Sequence, residues 1–185
     1  SSDRQAQLRV WMIARAAGFT ALMLFSIQIS LGLVLSHPTN KSTWKLSKRL
    51  FPWHENAWVF VLAFLGAHVM AIVIDEYAAV GWLGALVPGL SEYRSPAVSL
   101  GTLALYAMLA TGLTARYTKL LPAGFWLRLH RVSLVAFVLA WLHGVLAGTD
   151  SVAMASLYGA TGMFVLAAGA YRYWVSRQAR PTFST

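Results

Sequence analysis

The chain contains no cysteine. That absence excludes thiolate iron–sulfur clusters, cysteine zinc sites, thioether-attached haem and any disulfide framework, and it leaves the redox compartment unreadable. Any metal bound here must be held by histidine or oxygen. Charge is also scarce: 11% of residues are Asp, Glu, Lys or Arg, against roughly 25% in an ordinary soluble domain, and only six are acidic. Together with a hydrophobic content of 58%, this identifies an integral membrane protein. The net charge of +9 does not indicate nucleic acid. The basic residues lie in short loops between apolar runs, where cytoplasmic anchoring accounts for them.

What the chain has instead is long apolar runs, at residues 16–35, 54–74, 96–115, 125–147 and 152–171. Each meets or approaches the roughly 20 helical residues that cross a bilayer core of about 30 Å. The first run exceeds the roughly 7–15 residues of a secretory signal core, so it is read as a retained span. Lipid offers no partner for backbone amides, so the runs are helices rather than strands. The expected architecture is an all-α integral membrane bundle of five helices, or six counting a half-helix, forming one domain over residues 1–185. Residues 76–94, "EYAAVGWLGALVPGLSEYR", are interrupted by Gly81, Gly84, Pro88 and Gly89. They are too short and broken to span and are expected to form an interfacial or re-entrant cap.

Lys41, Lys45, Lys48, Arg49, Arg116, Lys119, Arg128, Arg131, Arg172, Arg177 and Arg180 fall on one side of such a bundle; Arg4, Arg9, Arg15 and Arg94 fall on the other. The positive-inside rule then places the amino terminus outside and the carboxy terminus in the cytoplasm.

Four of the five histidines bracket two runs: His54 and His68 in the second, His130 and His143 in the fourth, with offsets of 14 and 13 residues. At about 1.5 Å per residue the two imidazoles of a helix lie roughly 20 Å apart along its axis. One antiparallel span separates the two helices, so they run in the same direction. His54 and His130 therefore share an inner level, and His68 and His143 an outer one. Two imidazoles facing each other at each of two levels is the arrangement needed to hold two haems, since imidazole suits iron and bundle interiors house such cofactors. Filling both axial positions favours electron transfer over oxygen binding. Two ligands per level fall short of the four usual for zinc. Histidines in membrane helices also mark polar cavities or ion and proton paths, and that alternative stays open.

One tension is visible in the spacing. An offset of 14 returns to within about 40° of the starting face, but 13 lands about 140° away. The fourth helix must therefore start with an irregular turn at His130 or carry a π-bulge before His143. Gly144 would admit either a macrocycle or a neighbouring helix.

"HENAWVFVLAFLGAH" and "LHRVSLVAFVLAWLHGVLAGTDS", with "LVPGLSEYR" between them, resemble the ferric reductase-like transmembrane domain, the haem module of NADPH oxidases and ferric-chelate reductases. The resemblance runs from about Trp11 to Trp174, and the "HR…HG.LAGTD" string is most similar to bacterial stand-alone members. It implies two stacked b haems, ligated by His54 with His130 inside and by His68 with His143 outside, in a bacterial plasma membrane. The family commonly has six spans; five are legible here, and an outside start fits loss of the first. The tail "RYWVSRQARPTFST" carries no glycine-rich nucleotide fingerprint, so no flavin or NADPH domain is expected. Electrons would then be exchanged with a separate donor or acceptor protein, with a flavin or quinone on that partner. A looser similarity is to the quinol-linked haem subunit of the bacterial methionine sulfoxide repair system.

Haem propionates are anionic, so Arg128 and Arg131 beside His130, and Lys48 and Arg49 before His54, are candidates to neutralise them inside, with Arg94 and Tyr93 outside. Phe60, Phe64, Phe137 and Trp141 are candidates to fill the space between haems. Asp75 and Glu76 are candidates for an outer substrate or proton site. His37 reads as a loop residue. The expected function is that of a b-type cytochrome passing electrons from an inner donor through the inner and then the outer haem, as the electron-transfer subunit of an oxidoreductase. The competing reading is a non-redox accessory or anchoring subunit of a membrane complex.

Overall fold

The computed structural model describes residues 2–36, 41–122 and 124–178. His37 and Arg180 fall outside the described residues, as do the side chains of Lys41 and Lys45. The described chain is helical throughout: α1 (Ser2–Leu35), α2 (Lys41–Ile74), α3 (Gly81–Leu86), α4 (Ser95–Arg116), α5 (Phe125–His130), α6 (Val132–Ala147) and α7 (Ala155–Gln178), with one 3₁₀ turn at Thr118–Leu120. Four stretches are long and apolar enough to cross a membrane: Asp3–Leu35, Leu46–Ile74, Ser95–Arg116 and Phe125–Ala147. The last comprises α5 and α6. A fifth helix stands at the expected place, but α7 is not among the four sufficiently apolar helices.

Polar groups inside these helices are satisfied locally, as a lipid environment demands. Ser26, Ser30, Thr111 and Thr161 each donate to a carbonyl three or four residues earlier, at 2.7 to 3.1 Å. Pro52 lies inside α2, where it removes one amide donor, and Asn56 Nδ2 donates to its carbonyl at 2.7 Å. α1 and α2 both begin well before their apolar runs. Their polar extensions form helix without an apolar signature.

α2 packs along α1, and α6 along α4, while α1 also meets α6 and α7. No comparable backbone packing joins α2 to α6 among the described residues, so the two histidine-bearing helices face each other across a gap. Residues 76–94 form turns around the short helix α3, folded against α4. Gly81 and Gly89 adopt φ of 62° and 90°, turns open to glycine without strain. The segment is pinned to α4 by Thr102 donating to the Ala85 carbonyl at 2.9 Å, by Tyr106 donating to that of Leu86, and by the Gly89 amide donating to Ser99 Oγ at 2.8 Å.

The core sits halfway along the bundle. Phe25, Val61, Met108, Ala136 and Phe137 are buried in one cluster, and the Phe25 and Phe137 rings meet edge-on with centroids 5.8 Å apart. Val61 lies midway in number between His54 and His68, and Ala136 and Phe137 midway between His130 and His143. A layer of buried side chains therefore separates the two histidine levels.

Candidate functional site: two imidazole pairs

His54 and His130 stand with ring centroids 6.0 Å apart and planes at 89°; His68 and His143 stand 6.1 Å apart at 73°. These are the pairs that parallel histidine-bearing helices require. Two metal–imidazole bonds of about 2 Å, plus roughly 1 Å from each nitrogen to its ring centre, put collinear rings about 6 Å apart. Each pair is thus spaced to share one metal ion. No three His, Asp or Glu side chains converge among the described residues, so each level offers two imidazole nitrogens and the remaining ligands would have to come with the metal.

The other ring nitrogen is held by the backbone. Nδ1 lies 3.1 Å from the Gln28 carbonyl in His54, 2.7 Å from that of Ala14 in His68, and 2.8 Å from that of Ala97 in His143. A carbonyl only accepts, so Nδ1 carries the proton and Nε2 keeps its lone pair. The His130 ring is turned toward the backbone of Thr111 in the same way, with Nδ1 outside the close geometry of the other three.

The carbonyls are reachable because glycine stands four residues beyond each. A Cβ on Gly18 would lie 2.8 Å from His68 Nδ1, one on Gly32 3.0 Å from His54 Cε1, and one on Gly101 2.7 Å from His143 Nδ1. Each ring thus lies in a notch on the neighbouring helix, over the carbonyl one turn back. These glycines are absent from the expected site, although the signal was present: Gly18 and Gly32 are 14 apart, the offset of the histidines they receive, and Phe25 lies midway between them.

The irregular turn expected beside His130 is real. α5 ends at His130, Arg131 stands between the helices, and the Leu134 amide donates to the Arg131 carbonyl at 3.2 Å, a 3₁₀ bond that tightens the winding. Gly144 receives Tyr158, since a Cβ there would lie 2.9 Å from its Cε1; helix packing accounts for it.

At the His68 level a cleft opens among Trp11, Arg15, Phe19, His68, His143 and Tyr158. Arg15, which the sequence reading treated only as a loop charge, pairs with Asp150 and donates to Thr149 at 2.9 Å. Arg94 donates to the carbonyls of Leu146 and Gly148 at 2.9 and 3.0 Å, and Tyr93 to that of Ala147 at 3.0 Å. Both close the end of α6 just past His143. Asp75 is buried, with one oxygen accepting from the Ala78 amide at 2.7 Å, and Glu76 accepts from Gln7 at 2.9 Å. Both therefore fasten the turn after α2.

At the His130 level Lys48, Arg49, Arg128 and Arg131 are exposed, disposed as surface cations around that end. Phe137 lies in the middle layer, and Trp141 donates to the Tyr158 carbonyl at 2.9 Å. Phe60 lies away from it, in a surface groove with Leu24, Ile27 and Trp53, and Phe64 is exposed. No known protein family, characterised protein or solved structure matches this chain.

Proposed function

We propose that this chain is a b-type cytochrome of the ferric reductase-like kind, holding two haems and carrying electrons across a membrane. In this reading His54 and His130 are the axial ligands of an inner haem and His68 and His143 those of an outer one. Electrons pass from an inner donor to an outer acceptor, and both are separate molecules: a partner protein, with a flavin or quinone of its own.

The observation that carries the reading is the pair of imidazole couples with ring centres 6.0 and 6.1 Å apart. It is strengthened by the backbone carbonyls on three of the four Nδ1 atoms, because metal-ligating histidines almost always donate their second nitrogen to such a partner. Haem would supply reversible one-electron chemistry at iron. The protein residues do the rest: the notched glycines seat the rings, the carbonyls set the tautomer, and Phe25, Val61 and Phe137 exclude water between the levels. With both axial positions filled by histidine, the arrangement suits electron transfer. Arg128, Arg131, Lys48 and Arg49 are the basic groups at the end where inner propionates would lie. On the outer side Arg15 and Tyr93 line the cleft, Arg15 already paired with Asp150.

The test is the visible spectrum of the purified chain, with haem counted by pyridine haemochrome against protein mass. Two b haems per chain are expected, with the sharp reduced bands of bis-imidazole ligation. His68→Ala should lose about one equivalent and keep the other. A chain purified from haem-replete cells without porphyrin absorption would refute the reading.

A further inference from the structure

Residues 81–90 carry no charged side chain, while Asp75 and Glu76 precede them and Glu92 and Arg94 follow. Trp82, Leu83, Val87 and Leu90 are exposed and apolar. The segment doubles back on itself, because a Cβ on the buried Gly84 would lie 3.1 Å from Ser91 Cα, so the returning leg packs on the outgoing one. Val87 donates its amide to the Leu83 carbonyl at 2.9 Å and Leu90 to that of Val87 at 3.2 Å. Gly89 donates to Ser99 Oγ at 2.8 Å, and Pro88 has no amide to place. Every amide donor from Val87 to Leu90 is therefore partnered. The carbonyls of Ala85 and Leu86, freed at the end of α3, accept from the Thr102 and Tyr106 hydroxyls. In water the solvent would satisfy such groups; in hydrocarbon the protein must do so itself.

The partners on α4 set the depth. α4 has 22 residues, Ser95–Arg116, about 33 Å at 1.5 Å per residue, close to the thickness of a bilayer core. Thr102 and Tyr106 lie two and three turns inward from Ser95, about 10 and 16 Å below the start of the helix. Gly101, the notch that receives His143, is in the same turn as Thr102. We infer that residues 80–90 are a re-entrant element, dipping beside α4 into the leaflet on the His68–His143 side and held there by the two hydroxyls. The partner of its exposed face is lipid acyl chain. Tyr106, which holds Leu86, belongs to the exposed row Leu103, Tyr106, Leu109 and Leu113 of α4, so the two apolar faces join. On the other side Val80 and Ala85 line the cleft with His143. One turn of helix thus separates that cleft from lipid, and nothing in this placement depends on haem.

The chain lacks cysteine, so one introduced thiol carries one nitroxide. In the full chain reconstituted in phosphatidylcholine bilayers, labels at Val87→Cys and Leu83→Cys should collide with oxygen in preference to a water-soluble nickel chelate, as should a label at Leu103→Cys within α4. The Val87 label should read about 10 Å below the headgroups. A label at Val152→Cys, in the turn after α6, should show the opposite preference. Thr102→Val combined with Tyr106→Phe removes both hydroxyls with little change of shape. It should carry the Val87 label about 10 Å outward, to the reading at Val152, while the Leu103 label keeps its depth. Equal contact with the chelate at Val87 and Val152, without those two substitutions, would overturn the inference. So would protection of the Val87 label from both reagents, which marks a protein contact in place of lipid, or a Val87 label that stays at depth when both hydroxyls are gone.

Discussion

A glycine inside a helix costs about 0.5–1 kcal/mol relative to alanine, so a helix that keeps one where space is free gains from its replacement. Gly66 is such a position, with nothing within 4 Å of an added Cβ. Gly18 is the opposite, because the methyl would sit 2.8 Å from His68 Nδ1 and the ring would have to leave the Ala14 carbonyl. Gly66→Ala should hold or raise the melting temperature and keep the full haem complement. Gly18→Ala should weaken retention of haem at the His68 level alone, by roughly 10–100-fold, read as loss of up to one equivalent on gel filtration. Equal behaviour of the two variants would mean that the notch does not position the ligand.

At the scale of the element, α6 ends in open carbonyls just past His143, and Arg94 and Tyr93 cover three of them. A guanidinium there also lies at the negative end of the helix dipole. Because Arg94 is exposed, its removal should cost no more than about 1 kcal/mol. Arg94→Ala should lower the melting temperature equally with and without haem; a shift confined to the loaded protein would make Arg94 a propionate ligand instead. The sequence shows part of this level of organisation plainly. The apolar runs mark the helices that carry histidine, the offsets of 14 and 13 mark two levels, and the misfit of 13 anticipates the break at Arg131. Helix starts were hidden, because residues 2–15 and 41–53 are helical without being uniformly apolar. The glycine notches show in the sequence only as the spacing of 14 between Gly18 and Gly32, because a notch is defined by what enters it from another helix, and the antiparallel pairing of α1 with α2 is what makes Gly18 the seat of His68.

At the scale of the whole molecule, the proposed electron transfer would take its direction from which end faces the cytoplasm, and the charge distribution gives a physical basis for choosing. Lys48, Arg49, Arg116, Lys119, Arg128, Arg131, Arg172 and Arg177 gather toward the His54–His130 end, where Glu55 is the one acidic residue in the sequence. At the other end Arg4, Arg9, Arg15 and Arg94 stand with five acidic residues, Asp3, Asp75, Glu76, Glu92 and Asp150, the last paired with Arg15. The excess of Lys and Arg that the positive-inside rule counts thus lies at the first end. The lack of cysteine makes the assignment directly testable, since a single introduced thiol is unique. Leu120 lies at the basic end and Val152 at the opposite one, with exposures of 80% and 92%, and neither substitution alters charge. In intact cells stripped of any outer wall, a membrane-impermeant maleimide should label Val152→Cys, and should label Leu120→Cys only after the membrane is opened. The reverse pattern would place the His68–His143 level on the cytoplasmic side, and the electron donor would then have to meet the protein through the cleft beside Arg15 rather than through the basic face around His130.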